Sequence, residues 1–497
     1  VLCPEKEQFF DTMDAQYLAL TYADVRIRTA SGHEAEPPEV LDVSSMFSRH
    51  VELKVPLVSA AMNTVTESRM AIEMGKLGGL GVIHAAMTID EQRRAVRDVK
   101  MAVNGLIEVP ITVRSDWTVE EVENFRREKG HTFSNFPVVD NEGHFVGLLS
   151  GKQVQYVDPT DTVEVAMTPR GQVLTAKKGT TIEQAFGKMR KEKRSTLPLV
   201  TKHGAIAGLY IFSDVNRIQR DIGSFNTDGD NQLYSAAAVS TISTTSNTME
   251  RVAALEKYLD VVVLDTANGD AWYAFNTLRE LKISFPDLDV VVGNISEGES
   301  ARQLALAGAD GIKIGQGPGS ICSTRREIGI GRPQVTAVHD AVRALQTEHG
   351  QIPICADGGI VEHGDIPIAF VAGAHSVMMG NRFAGTDETP GPVLTGSDGK
   401  KYKKYDGMGS EENIRANEAS RERYGADGDI FLPEGVSSEV PYKGQMVDEF
   451  TLCLLALRKS MEYVKAPNLS YLRENALLTR ITNNGLVESH PHDVRVA

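Results

Sequence analysis

The sequence predicts an α/β chain: a (β/α)8 barrel with a second domain inserted between its second and third strands. Three observations carry this expectation. Eight short apolar runs recur along the 497 residues, each followed by a helical segment. Such near-continuous apolar character suits parallel strands covered on both faces. Glycine and polar residues fall at the C-terminal ends of many runs, which favours a closed barrel mouth over the single crevice of an open doubly wound sheet. The long gap between the second and third runs carries a repeat of its own.

The eight runs are 56–60, 79–84, 236–241, 260–265, 289–294, 311–315, 352–357 and 376–380. Segments between them read as helices. The stretch 297–307 sets Ala301, Leu304, Ala305 and Leu306 on one face and stops at Gly308, a C-terminal cap position. Asn247 is placed to cap a helix running to Tyr258. In the gap, Phe136-Pro-Val-Val139, Gly143 and Val146-Gly-Leu-Leu149 are echoed by Leu197-Pro-Leu-Val200, Gly204 and Ala207-Gly-Leu-Tyr210. Spacing from proline to each glycine is the same in both copies, and each copy follows a helix opening at Thr118 or Thr181.

These features divide the chain into barrel over 1–106, a two-copy insertion over 107–221, and barrel again over 222–497. Surface loops accept insertions whose ends lie close together. A long stretch at about 385–444, rich in glycine and charge, reads as a mobile flap or as a disordered insertion. The cluster Tyr405-Asp-Gly-Met-Gly-Ser410 and the pair Arg423-Tyr424 favour the flap.

Composition excludes some classes. No apolar run approaches twenty residues and the charged start lacks a signal-peptide pattern, so a cytoplasmic protein with no membrane contact is expected. The missing initiating Met suggests a processed or trimmed start. Cys3, Cys322, Cys355 and Cys453 show neither metal nor disulfide spacing, which fits a reducing compartment. A net charge of −15 opposes strong nucleic-acid binding and leaves any anionic substrate to local amides and a few cations.

The most informative stretch is 311–325, an apolar strand followed by Gly315, Gly317 and Gly319 and then by Cys322. The glycines let backbone approach a ligand closely, offering N–H groups to anions and C=O groups to cations. Cys322, with Arg325 nearby, has a setting that favours a thiolate nucleophile. A tight turn around a buried thiol is the plainer alternative. Other strand ends supply Asp265, Asn294, Asp357-Gly358-Gly359 and Gly380-Asn381. Asp357 suits a ligand hydroxyl or the cap of the next helix, and the glycines suit a phosphate. Asp265 ends a buried strand and needs a partner; a ligand ribose or a helix amide would serve. Cys355 and Cys453 read as core, Cys3 as part of a loose end, and His84 as structural. His490 and His492 form no complete ligand set, so no transition metal is expected.

Several motifs together carry a resemblance: Leu20-Thr-Tyr-Ala-Asp24, the stretches 56–66 and 317–325, Ala356-Asp-Gly-Gly359, the 405–410 cluster, Glu434-Gly-Val436 and Glu488-Ser-His-Pro-His-Asp493. In these the chain resembles IMP dehydrogenases over nearly its whole length. The inserted repeat looks like a pair of CBS modules, giving a TIM barrel with a tandem CBS domain.

The resemblance implies NAD-dependent oxidation of IMP to XMP, the committed step of guanine nucleotide synthesis. Cys322 would attack C2 of the hypoxanthine with Thr324 close by. Arg423, with Tyr424, would activate the water that hydrolyses the covalent thioimidate. Asp357 would hold the ribose of IMP, and Ser320, Gly359, Gly380, Asn381 and Tyr405 its phosphate. Met62, Met408, Gly409 and Glu434 would lie along the base. NAD would contact Asp265 and Asn294. A potassium ion would rest on Gly317, Gly319 and Cys322 and be completed by Glu488, Ser489 and His490 from a neighbouring subunit. That implies a homotetramer, with an octamer available through the CBS modules and adenine or guanine nucleotides as their effectors.

Some positions depart from the pattern. Asn63 stands where Asp is usual, Asn381 where Ser is usual, and Asp406 where Arg is common. A carboxylate beside a phosphate is unfavourable unless it points away. Asn268 and Asp270 alter the dinucleotide loop. GMP reductase, which uses NADPH, shares the cysteine loop, the barrel and the covalent intermediate, but the flap and C-terminal motifs match the dehydrogenase. A nucleotide-sensing protein with an inactive barrel is disfavoured by Cys322, Thr324, Arg423 and Tyr424 being intact.

Overall fold

Period-two alternation decides what the barrel encloses. The computed structural model describes residues 2–30, 40–103, 105–128, 135–241, 247–346, 352–424, 430–492 and 494. The strands are β1 (Leu57–Ser59), β2 (Leu80–Ile83), β3 (Ala236–Val239), β4 (Val261–Asp265), β5 (Asp289–Ile295), β6 (Gly311–Ile314), β7 (Ile354–Asp357) and β8 (Ser376–Met379). They close in chain order, β8 pairing with β1, and every pairing is parallel. All eight apolar runs are these strands.

Alternate residues point inward and pack as one cluster that includes Val58, Leu80, Val82, Ala236, Ala238 and Val261. Val263, Val291, Cys355 and Met378 complete its strand layers. Continuing the same alternation by one step places Asp265 after Val263, Lys313 after Gly311 and Asp357 after Cys355 on the inner face. The polar site is therefore the top layer of the apolar core. On β5 the ladder slips between Gly293 and Ile295, an irregularity that re-aims Asn294.

The helix over 297–307 forms as Gly298–Leu306, with Gly308 beyond it at φ 101°. Ala301, Leu304 and Ala305 are buried, but Leu306 is 49% exposed, because one further residue turns it about 100° away from the packed face. Asn247 precedes the helix Thr248–Leu255, yet its side chain makes no cap hydrogen bond. Cys3 is no loose end. It precedes the helix Pro4–Ala15, and its N–H donates to Glu474 O.

The chain clusters into two compact units, Val1–Lys100 with Ser224–Ala497, and Met101–Gly223. The second unit holds two four-stranded sheets. Pro137↔Leu148 and Val138↔Gly147 in one sheet recur as Pro198↔Leu209 and Leu199↔Gly208 in the other. Both hairpins slip at the same step, before Val139 and before Val200. Thr118 and Thr181 open their helices with reciprocal bonds to Glu121 and Gln184, capping boxes in both copies. His144 and Ala205, equivalent positions of the repeat, form an antiparallel bridge with each other. That is the signature of a local two-fold axis. A start at 107 would split the strand Leu106–Ile107, which already pairs with Ile206–Ile211.

Within the first unit, the stretch near 385–444 carries more regular structure than its composition suggested. Leu394–Thr395, Lys401–Asp406 and Ser437–Pro441 form a three-stranded sheet, with helices Glu411–Ala416 and Glu418–Arg423 between its second and third strands. Residues 425–429 of the expected flap lie outside the described residues. Among the described residues no helix is long and apolar enough to cross a membrane.

One close helix-to-strand approach in the barrel tests the packing. A Cβ at Gly81 of β2 would lie 2.5 Å from Ala71 Cα in the helix Ser68–Lys76. Backbone cannot yield cheaply, so Gly81→Ala is expected to cost about 1–3 kcal/mol, read from chemical denaturation midpoints.

Candidate functional site

The C-terminal ends of the strands and the flap line an open cleft. Every substrate- and cofactor-directed residue expected from the sequence lines it: Met62, Asp265, Asn294, Ser320, Asp357 and Gly359, and further along the chain Gly380, Asn381, Tyr405, Met408, Gly409 and Glu434. Cys322, Arg423 and Tyr424 line it too. Thr324 joins through its hydroxyl, 3.1 Å from Cys322 Sγ.

The cysteine loop is built by a turn and a short pairing. The Cys322 N–H donates to Gly319 O at 3.0 Å. Ser323 N–H donates to Glu434 O at 2.9 Å, and Val436 N–H to Ile321 O at 3.0 Å, so the loop pairs with the 434–436 segment of the flap. Glu434 O also lies 3.6 Å from Cys322 Sγ. Arg325 was expected to favour the thiolate. Its guanidinium instead donates to Gln316 O at 3.0 Å and to Arg332 O, bracing the loop from behind. Gly317 and Gly331 make room for it, since a Cβ at either would come within 2.9 Å of the arginine side chain.

The flap reaches the barrel through Arg423. Its guanidinium bonds Asp265 Oδ2. Burial opposes the charge on Arg423, but the Asp265 carboxylate outweighs it and raises the guanidinium above its ordinary value. Burial likewise pushes Asp265 up, yet Arg423 and Lys313 overcome it and hold the carboxyl below the usual range. Tyr424 stacks on backbone that only glycine leaves open, as a Cβ at Gly409 would lie 2.7 Å from its ring. Asn63 Nδ2 donates to Asn413 Oδ1 at 2.8 Å, tying the loop after β1 to the flap helix Glu411–Ala416.

Opposite the thiol, Asp357 ends β7 beside Gly358 and Gly359, at φ 86° and 81°. A Cβ at Gly380 would meet the Tyr405 hydroxyl at 2.7 Å, so this glycine lets the phenol close over the loop after β8. Burial, then the nearby Asp357 and Cys322, push that phenol above its ordinary value. Backbone amides with a hydroxyl between them suit an oxyanion such as a phosphate. Asp406 is absent from the cleft wall: its Oδ1 accepts from Ser438 N–H at 3.3 Å.

The cofactor and ion expectations fit to different degrees. Asp265 faces the cleft, but both its oxygens are engaged, one by Lys313 and one by Arg423. A dinucleotide hydroxyl and Arg423 would therefore compete for it. Asn294 spends its amide hydrogens on Gly315 O and Asp357 Oδ2, which makes it a brace between strands. The carbonyls of Gly317, Gly319 and Cys322 form a neutral oxygen set, suited to a hard cation of low charge. Glu488 ends the helix Asn483–Glu488, and Ser489 and His490 line a second cleft beside Pro318 and Arg325. His84 is buried, with Nδ1 accepting from Ala86 N–H. Among the described residues, His363, Glu449 and Cys453 are grouped closely enough for a metal, but Arg382 already contacts both His363 and Glu449.

Sequence reasoning missed Lys313. It contacts Asp265, Asp357 and Asn294 at once and is 2% exposed. The signal was present: a lysine inside an apolar strand buried on both faces requires carboxylate partners.

Comparison with known proteins follows this geometry. The family described as "IMP dehydrogenase / GMP reductase domain" matches residues 19–492. The inosine-5'-monophosphate dehydrogenase of Aquifex aeolicus is 40% identical over 96% of both chains, and that of Bacillus subtilis 37% over 96% of both. A solved structure of a cysteine-to-alanine GMP reductase from Trypanosoma brucei, in complex with guanosine 5'-monophosphate, is 34% identical. It superposes with a TM-score of 0.84, covering 96% of this chain and 98% of that one.

The latch between flap and barrel is directly testable. Asp265→Asn removes the charge that holds Arg423, and alkylation of Cys322 by iodoacetamide is expected to accelerate about tenfold. Because the folded carboxyl lies below its ordinary value, the latch is complete above about pH 4 and is lost as pH falls through the depressed value. Alkylation of the unsubstituted protein should therefore speed up only at acidic pH, after correction for thiolate content.

Proposed function

The chain belongs to the IMP dehydrogenase / GMP reductase family, and we propose that it oxidises IMP to XMP with NAD. The observation that carries this choice is the flap: Arg423 sits on Asp265 and Tyr424 beside Gly409, both in the wall of the Cys322 cleft. A dehydrogenase needs a second, hydrolytic step, and on this reading these two residues serve it.

In this mechanism the Cys322 thiolate adds to C2 of the hypoxanthine ring, with Thr324 Oγ1 within hydrogen-bond reach of the sulfur. NAD, when bound, accepts the hydrogen of C2 as hydride. Water then adds to C2, the carbon–sulfur bond breaks, and Cys322 is released with XMP. Arg423, once it has left Asp265, whose charge otherwise keeps the guanidinium protonated, orients that water and takes its proton out of bulk solvent, with Tyr424 against it. Asp357 receives the ribose hydroxyls. The phosphate lies among Ser320, Gly359, Gly380, Asn381 and Tyr405, and the base along Met62, Met408, Gly409 and Glu434. Asp265 and the Asn294 loop receive the dinucleotide when the flap is open. Potassium on the Gly317, Gly319 and Cys322 carbonyls would hold the loop's shape, with Glu488, Ser489 and His490 supplied across a tetramer contact. The inserted unit acts as paired CBS modules that bind purine nucleotides and join tetramers into octamers, in a cytoplasmic enzyme.

One observation favours a second possibility. The structural relative bound to guanosine 5'-monophosphate is a GMP reductase and aligns over nearly the whole chain. Purified protein is expected to reduce NAD in the presence of IMP and to leave NADPH unchanged with GMP. Activity only in the second assay would overturn the proposal. Cys322→Ala is expected to abolish turnover. Arg423→Ala should slow hydrolysis by a factor of about 100 or more while a nucleotide adduct accumulates on Cys322, visible by intact-protein mass spectrometry. No accumulation would refute the role given to Arg423.

A further inference from the structure

Lys313 has no part in the reaction as described. It points into the barrel from the middle of β6. Its ammonium carries three N–H donors and meets three acceptors: Asp265 Oδ1 and Asp357 Oδ2, each at 2.8 Å, and Asn294 Oδ1. All three hydrogens are spent inside the protein, so none remains for a substrate or a leaving group. The carboxylates it joins face different tasks. Asp265 offers its other oxygen to Arg423 of the flap, whereas Asp357 faces the cleft beside the Gly358–Gly359 turn.

We propose that Lys313 is a positioning residue whose single ammonium keeps Asp265 and Asp357 ionised side by side, so that the flap can latch on one while a nucleotide ribose occupies the other. The ribose half of this proposal rests on the nucleotide-binding function proposed for the cleft. The latch half does not.

Other titratable and charged groups face the trio from each packed element. Arg423 and Tyr424 approach Asp265 from the flap, with Cys322 and Glu434 beyond Tyr424. Tyr405, Tyr22 and Cys355 approach Asp357. Burial pushes all three phenols above their ordinary value and Cys355 up to about 12. None of these four changes charge between about pH 5 and pH 8. Burial opposes the charge of Lys313 itself, but Asp265 and Asp357 outweigh it and raise the ammonium, so it stays charged across that window.

Without the ammonium, two neighbouring carboxylates share a proton, and one of them titrates above its unfolded value. A carboxyl raised in this way favours the folded state at low pH and costs stability as pH rises from the unfolded toward the folded value. The test is therefore the pH dependence, not the size, of the loss. Lys313→Met keeps the chain length and removes the charge; Lys313→Arg keeps the charge.

Melting temperatures of the ligand-free full chain would be measured between about pH 5 and pH 8, alongside calorimetric titration of IMP and of GMP. For Lys313→Met the melting deficit relative to the parent should widen as pH rises. Affinity for the nucleotide that the parent binds should fall about tenfold near pH 6 and recover toward pH 8 or above. Lys313→Arg should follow the parent's pH dependence in both measurements. Lys313→Met with Asp357→Asn leaves Asp265 its own cation, Arg423, and should melt with a deficit that no longer varies with pH. If Lys313→Met alone yields no folded protein, recovery of folding by that pair supports the proposal, and continued misfolding overturns it. A deficit for Lys313→Met that is constant with pH, as simple loss of packing would give, also overturns it. If the parent binds neither nucleotide, the function proposed for the cleft fails, while the melting series still decides the role of Lys313.

Discussion

Two carboxylates at one barrel mouth, Asp265 and Asp357, share one cation between them. Like charges about 5 Å apart repel by roughly 3 kcal/mol at an effective dielectric near 20. That is a large fraction of a typical domain's net stability. Lys313 supplies the cation, and the strand order lets it. The ammonium reaches Asp265 on β4 from β6, across the intervening β5. At that crossing β5 carries Gly293, where a Cβ would lie 2.6 Å from Lys313 Cβ. A glycine on one strand therefore permits an ion pair between its neighbours. The slip after Gly293 then turns Asn294 into the same cluster, where its amide bonds Asp357 and Gly315.

The flap meets the barrel mouth in two different ways. Residues 434–436 are bonded to the cysteine loop through Ser323 and Val436, and Ser437–Pro441 continues into the three-stranded sheet. Displacing that edge would disturb Cys322 itself. The helices Glu411–Ala416 and Glu418–Arg423 meet the barrel through the Asn63–Asn413 amide pair and the Arg423–Asp265 ion pair, with Glu418 and Glu422 facing Arg251. On the function proposed above, a ligand hydroxyl at Asp265 would displace the helical part through Arg423 while the nucleophile keeps its neighbours.

Much of this was legible in the sequence, because the relevant rules are local. The eight strands announced themselves as apolar runs between turn residues, and the proline-to-glycine spacing predicted a repeat whose two hairpins share register and slip. Strand ends named Asp265, Asn294, Asp357 and Gly380 because a closed barrel gathers them at one mouth. What escaped depends on long-range pairing. The flap's sheet forms between Lys401–Asp406 and Ser437–Pro441, whose partnership no local pattern reveals. Arg325 was assigned by its closeness in sequence to Cys322, but loop curvature sends its guanidinium to the carbonyls of Gln316 and Arg332. Lys313 was overlooked because its neighbours Ile312 and Ile314 mark a strand, and its partners lie on other strands.

The substitutions around the anion cradle follow from where charge is available. Asp406 turns its carboxylate to the Ser438 N–H, and its own N–H meets Thr64 Oγ1, so it presents no negative charge to the cleft. Nearby cations are also committed. Lys443 donates to the carbonyls of Asn381 and Arg382, and Arg382 is paired with Glu449. What remains lining the cleft is the backbone of Gly359 and Gly380, with the Ser320 and Tyr405 hydroxyls and the Asn381 amide, the Gly358 N–H being taken by Met378 O. Neutral donors of this kind are less favourable for a dianion than a guanidinium would be. They do impose direction, because each N–H must be met along its own axis. On the nucleotide assignment, the cradle therefore selects its phosphate by shape. The cations at the mouth, Lys313 and Arg423, are balanced by Asp265 and Asp357, so they add little net positive charge that would draw anions indiscriminately.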